Sequence, residues 1–188
     1  KHYKHSRLFH SLFLFRLIIN SGKSNNFFIL AKILIENILA SIYIHIPYCK
    51  QACTYCNFHF RISQNDKEEM LKSIKKEIAM RQSYLNDTTI SSIYFGGGTP
   101  SVLKKKEIKS IISTIYRLFN IDKNAEITLE CNPDDLSKKQ LIALKEIGIN
   151  RLSIGIQSFD DADLKFMNRS HNAKQATQCL ILAKKQGF

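Results

Sequence analysis

Residues 42–56 read Ile42-Tyr43-Ile44-His45-Ile46-Pro47-Tyr48-Cys49-Lys50-Gln51-Ala52-Cys53-Thr54-Tyr55-Cys56. The first five alternate between aliphatic and polar or aromatic side chains, the period of a strand with one buried face. Pro47 ends the alternation, because proline has no amide proton for a sheet ladder. Cys49, Cys53 and Cys56 follow at once on the loop beyond it.

The same unit repeats downstream. Residues 67–85 place Met70, Leu71, Ile74, Ile78 and Leu85 at helical spacing, with Asn65 or Asp66 as the expected cap. Ser92-Ile93-Tyr94-Phe95 is the second strand, ended by Gly96-Gly97-Gly98-Thr99-Pro100. Ile108, Ile111, Ile112, Ile115, Leu118 and Phe119 form the next helical stripe. Ile127 and Leu129 alternate in a third strand that ends at Asn132-Pro133. Ser137 and Gln140 make a capping box for a helix carrying Leu141, Leu144 and Ile147, closed by Gly148. Leu152, Ile154 and Ile156 alternate in strand four, and a last helix starts near residue 172 and ends near Gly187.

Four βα units in succession predict an α/β fold with a parallel sheet, curled by right-handed crossovers into a partial TIM-like barrel. A closed barrel needs more strands, so residues 41–188 read as the N-terminal part of a larger core domain. The non-aliphatic face carries Tyr43 and His45, then Thr128 and Glu130, then Ser153, Gly155 and Gln157. Packed barrel interiors are usually aliphatic, so polar side chains there point to a lumen that holds a ligand. Glu130, Gln157, the cysteine loop and the glycine loop all fall at the C-terminal ends of strands, where such barrels keep their sites.

Three thiols on one short loop can ligate three irons of a cubane cluster, leaving the fourth iron open. Zinc is the competing reading. It usually takes four ligands, with two-residue gaps between paired cysteines, and here only His59 or His45 is available to complete a set. A structural group of thiols is the third reading. Cys131 and Cys179 are expected to be small core hydrophobes, and His45 a hydrogen-bonded lumen residue.

Composition narrows the class. The chain has 188 residues, 44% hydrophobic and 23% charged, with five cysteines and a net charge of +12. An odd, clustered cysteine set argues against a secreted disulfide scaffold and for a reducing, cytoplasmic setting. The positive charge lies on lysine-rich faces such as Lys104-Lys105-Lys106, with no aromatic-interleaved stripe, so nucleic acid is not an expected partner. No uncharged apolar run is long enough for a membrane span. Residues 1–40 carry six Lys or Arg against the single acid Glu36. They are expected to be a basic leader outside the domain, from upstream read-through or a misannotated start, with a transit-like segment as the alternative.

The order Tyr43-x-His45-x-Pro47-x-Cys49, Cys53, Cys56, then Gly96-Gly97-Gly98-Thr99-Pro100, resembles the radical SAM superfamily. Glu130-x-Asn132-Pro133, Arg151-x-Ser153-x-Gly155-x-Gln157-Ser158-Phe159 and Asn168-Arg169-x-His171 continue the likeness to its anaerobic coproporphyrinogen III oxidase-like family. The resemblance covers residues 41–188 and implies a barrel of the radical SAM type. It implies that Cys49, Cys53 and Cys56 ligate a [4Fe–4S] cluster and that S-adenosyl-L-methionine binds beside it. Tyr43, Tyr55, Gly97, Gly98, Thr99, Glu130, Gln157 and Arg169 would be its cofactor-binding residues. The implied chemistry is one-electron cleavage of the sulfonium to methionine and a 5′-deoxyadenosyl radical, which requires an electron donor. His45 and His171 match the motifs without an assigned chemistry.

The family's oxidases carry a fourth cysteine two places after the third, where this chain has Phe58. In this the sequence resembles the haem chaperone branch, which binds haem and passes it to acceptor proteins. Oxidative decarboxylation of coproporphyrinogen III is the alternative that the resemblance leaves standing.

Overall fold

The computed structural model describes residues 40–85 and 88–188. The expectations for residues 1–39 lie outside the described residues. Four strands, β1 (Ala40–Ile46), β2 (Ile90–Gly97), β3 (Ile121–Cys131) and β4 (Arg151–Ile154), form one parallel sheet in the order β1-β2-β3-β4. The crossover helices are α1 (Lys67–Met80), α2 (Lys105–Leu118) and α3 (Lys138–Glu146). A short α4 (Asp161–Phe166) and then α5 (Ala173–Lys185) follow β4.

Register explains why one face is core. Ile42, Ile93 and Ile127 are paired in one row, and Ile44, Phe95, Leu129 and Leu152 in the next. These rows pack under the helices, against a fully buried stripe that includes Ile108, Ile111 and Ile115 of α2. Each such side chain contributes roughly 1.5–3 kcal/mol by leaving water. The opposite row runs Tyr43, Tyr94, Thr128 and Arg151.

Several local expectations change. α1 ends at Met80, and residues Gln82–Tyr84 form a separate 3-10 turn, so the expected helix to residue 85 is broken. Asp66 precedes α1 without capping it through its side chain. Its carboxylate instead accepts from Tyr48 Oη at 2.9 Å and pairs with Arg61. Ser137 does cap α3, accepting from Gln140 N at 3.2 Å. β4 stops at Ile154, short of the expected Ile156. The chain leaves the ladder there and Gln157 takes a positive φ of 66°, so Gly155 and Gln157 belong to the loop beyond the strand. α4 was not expected, because its six residues are too few to display a period; Asp160 caps it by accepting from Ala162 N and Asp163 N.

Candidate cofactor site at the strand ends

The cysteine loop is built from its base upward. Tyr48 is fully buried at the end of β1, and burial with the Asp66 hydrogen bond pushes its phenol up to about 12. Arg61 N donates to Pro47 O at 2.6 Å and Cys49 N to Arg61 O at 2.9 Å, which closes the loop on itself. The glycine loop of β2 is stitched to the same base, through Gly98 N to Ile46 O at 2.8 Å and Thr99 N to Tyr48 O at 2.7 Å. A Cβ at Gly98 would stand 2.8 Å from Tyr48 O and 3.0 Å from Cys49 Sγ, so only glycine allows this approach.

Above that base lies a cavity of about 260 Å³. It is lined by Cys49, Cys53 and Cys56 from the loop, with Tyr55, Phe58 and Phe60 beside them, and by Gly97, Gly98 and Thr99 from β2. Gln51 of the loop, Glu130, Cys131 and Asn132 of β3 and its exit, and Ser153, Gly155, Gln157 and Arg169 beyond, complete it. The five cysteines are free thiols, and the three on the loop are half-buried. Thr99 Oγ1 donates to Cys49 Sγ at 3.4 Å. Burial pushes the Cys49 thiol up, against the pull of that hydrogen bond.

Arg169 joins three strand ends. Its Nη2 donates to Asn132 Oδ1 at 2.7 Å and Gly155 O at 2.8 Å, while Nη1 donates to Cys53 Sγ at 3.1 Å. Its Nε is buried without a partner. Glu130 accepts from Tyr94 Oη at 2.7 Å and Gly97 N at 3.1 Å, one bond per carboxylate oxygen. Each oxygen keeps further acceptor capacity for a ligand.

Ten of the eleven sequence-predicted site residues therefore meet around one cavity. Tyr43 does not line it. It is 58% exposed on the same sheet face, stacked on Tyr94 with ring centroids 5.9 Å apart. Tyr43 instead lines a groove of about 640 Å³ between β1 and α1, which contains no thiol. His45 lies within 3.4 Å of Tyr43 Oη through Nδ1, a polar pairing on the lumen face. Cys131 and Cys179 are buried as expected.

Sequence reasoning gave Tyr94, Asn132, Asn168 and Gln51 no role, although Asn132 and Asn168 stand in motifs it quoted. For Tyr94 a signal existed, since it shares the strand face of Tyr43 in the paired register. The others act through bonds between segments distant in sequence, which no local pattern displays.

The donor set fits an iron–sulfur cluster better than one zinc ion. The cavity draws three half-buried thiols from one short loop, and thiolate is the usual ligand of iron–sulfur iron. A zinc ion would hold each sulfur ~2.3 Å from one centre, whereas a cubane takes each thiolate on a different iron. The orphaned Arg169 Nε and the acceptor-rich Glu130 beside the thiols suit a charged, polar co-ligand.

Comparison with known proteins gives the family. The family model of the radical SAM superfamily matches residues 43–188. The heme chaperone HemW of Buchnera aphidicola (from Acyrthosiphon pisum) is 38% identical over 147 residues, covering 77% of this chain and 39% of that protein. The mitochondrial radical S-adenosyl methionine domain-containing protein 1 of Bos taurus is 36% identical, covering 78% of this chain and 33% of the relative. The solved structure of coproporphyrinogen III oxidase (HemN) from Escherichia coli, a radical SAM enzyme, superposes with a TM-score of 0.73 at 29% identity. That match covers 80% of this chain and 35% of the oxidase. The chain thus spans about two fifths or less of the relatives it matches. With a parallel βα sheet, three thiols at its strand ends and a family match over most of its length, the chain belongs to the radical SAM superfamily.

Proposed function

We propose that Cys49, Cys53 and Cys56 hold a [4Fe–4S] cluster, that S-adenosylmethionine occupies the adjoining cavity, and that the protein carries haem to acceptor proteins. The observation that carries the cofactor reading is the gathering of three thiols, Arg169 and Glu130 around one cavity at the strand ends. Bound there, the cluster and S-adenosylmethionine supply one-electron radical chemistry.

This chain's own residues bind and orient. Arg169 holds the Cys53 sulfur and the exits of β3 and β4 in one place. Gly97 and Gly98 let backbone come close to a ligand. Glu130, fixed by Tyr94 and Gly97, offers carboxylate lone pairs to the ammonium or hydroxyl groups of the cofactor. Tyr55 and Phe60 border the cavity, where an adenine ring can lie against them. Tyr43 contributes from the sheet face through its contact with Tyr94.

The haem reading rests on the relatives named heme chaperones and on Phe58. This side chain borders the cavity and is 71% exposed, where a fourth thiol would stand in an oxidase. The free thiols suit a cytoplasmic, reducing setting, and an electron donor would be a further partner. The likeness to the coproporphyrinogen III oxidase keeps oxidative decarboxylation as the second reading.

Anaerobic assay of the reconstituted protein decides between them. Haem binding followed by transfer to an apo-acceptor is the expected result. Conversion of coproporphyrinogen III to protoporphyrinogen IX would instead establish the oxidase.

A further inference from the structure

The sharp bend between α4 and α5 contains Asn168, with φ of 54°, in the left-handed region. Asparagine is one of few residue types that adopt this region readily. Asn168 does not line the cavity, yet it makes the densest set of bonds to the cysteine loop. Its Nδ2 donates to Ala52 O at 2.7 Å. Its Oδ1 and its backbone carbonyl both accept from Gln51 Nε2, at 2.7 and 2.8 Å. Thr54 extends the contact, its amide donating to Met167 O and its hydroxyl to Phe166 O, each at 3.2 Å. Residues on both sides of Cys53 are thus bonded to residues 166–168.

The left-handed turn has a second effect. Within one residue the chain presents the Asn168 carbonyl to Gln51 and the Arg169 guanidinium to the Cys53 sulfur. The two contacts are therefore set together by a single backbone conformation.

We propose that Asn168 is a positioning residue for the cysteine loop, acting through Gln51 and Ala52 to fix where Cys53 stands. The proposal deepens the cluster reading and rests on it. Loop amides flanking Cys53 stay protected because the clasp holds them, and bound iron is retained because Cys53 cannot swing away from the other two thiols.

The test uses the full chain with three substitutions. Asn168→Gly keeps the left-handed φ at no steric cost while removing both side-chain bonds. Gln51→Ala removes the partner from the loop side, and the double variant measures their coupling. In the apo-protein, hydrogen exchange of a peptide spanning residues 49–57 is expected to quicken about tenfold in Asn168→Gly, as befits two lost hydrogen bonds. Exchange in β1–β3 should stay as in the parent.

In the reconstituted protein, iron loss to a chelator should quicken by a similar factor, and the paramagnetic resonance spectrum of the reduced cluster should shift. The double variant should exceed Gln51→Ala by the share of the Asn168 Nδ2–Ala52 O bond, yet fall short of the sum of the two single effects, since the Gln51–Asn168 Oδ1 bond is lost in each single variant. Unchanged loop exchange in both single variants overturns the proposal. So does a loss spread evenly over the sheet, which would mark a general folding role. If Asn168→Gly fails to fold, Gln51→Ala carries the same comparison. A parent chain that takes up no iron defeats the cluster reading, while loop exchange in the apo-protein still decides the clasp.

Discussion

Tyr94 and Glu130 illustrate how a single hydroxyl can fix a carboxylate that lines the cavity. Glu130 is free to rotate unless Tyr94 Oη and Gly97 N hold its two oxygens. Tyr94→Phe removes one donor at almost constant volume, so stability should change by only ~1 kcal/mol. Affinity for S-adenosylmethionine should fall several-fold, as read by equilibrium dialysis of the reconstituted protein; equal affinity would mean that Glu130 does not touch the ligand. Gly98→Ala tests close approach at the same scale. The added methyl has backbone oxygen at 2.8 Å and the Cys49 sulfur at 3.0 Å, and neither Tyr48 O nor Pro47 can retreat without breaking the base of the loop. Iron content after reconstitution should drop well below that of the parent while the helices remain, as followed by circular dichroism. The three glycines alone were a weak signal in the sequence and gained weight only from their place after strand two of the βα pattern, whereas the role of Tyr94 required the register that sets it opposite Tyr43 and Thr128.

Helices and strands here are anchored by polar contacts that respond to pH. His171, just ahead of α5, is 4% exposed; its Nε2 donates to Ile156 O at 3.0 Å and its Nδ1 has no partner. Burial holds its pKa below the usual 6.5, against the pull of the Ile156 hydrogen bond, and the nearby Arg169 charge lowers it further. A depressed folded-state value means that the unfolded chain binds the proton more readily. Stability is then complete above pH 6.5 and falls as pH drops toward the folded value. Urea midpoints should decline across that interval and flatten in His171→Gln. An unchanged slope in the variant would show that another group titrates there. Asp134 adds a second, more acidic step. Burial would raise its carboxyl, but hydrogen bonds from Lys50 and Ser170 hold it below the usual range, so its contribution disappears only at still lower pH. Neither network was readable from periodicity, since both join the cysteine loop or β4 exit to elements far along the chain.

For the molecule as a whole, cofactor and fold are expected to be coupled. A ligand bound only by the native state raises stability with the logarithm of its concentration relative to its Kd, and on the proposed reading the three loop cysteines, brought together only by the closed loop, are such a site. Anaerobic reconstitution should raise the urea midpoint of the parent chain. Cys53→Ala should show no such rise and should lose the broad absorbance at ~400 nm expected of an iron–sulfur cluster; a full complement of bound iron in that variant would refute the ligand assignment. The sequence by itself determined the βα order, the aliphatic face of each strand and the placing of three cysteines on one short loop, because these depend on neighbours within a few residues. Strand period, helical stripe and a three-thiol loop are all local properties. Tertiary structure alone decided that Arg169 bridges Cys53 to Asn132 and Gly155, that Tyr43 lines a separate groove and not the cavity, and that Asn168 clasps a loop 117 positions away. Those contacts arise only when parallel strands bring their C-terminal ends to one edge, where backbone direction and register, not sequence spacing, choose the partners.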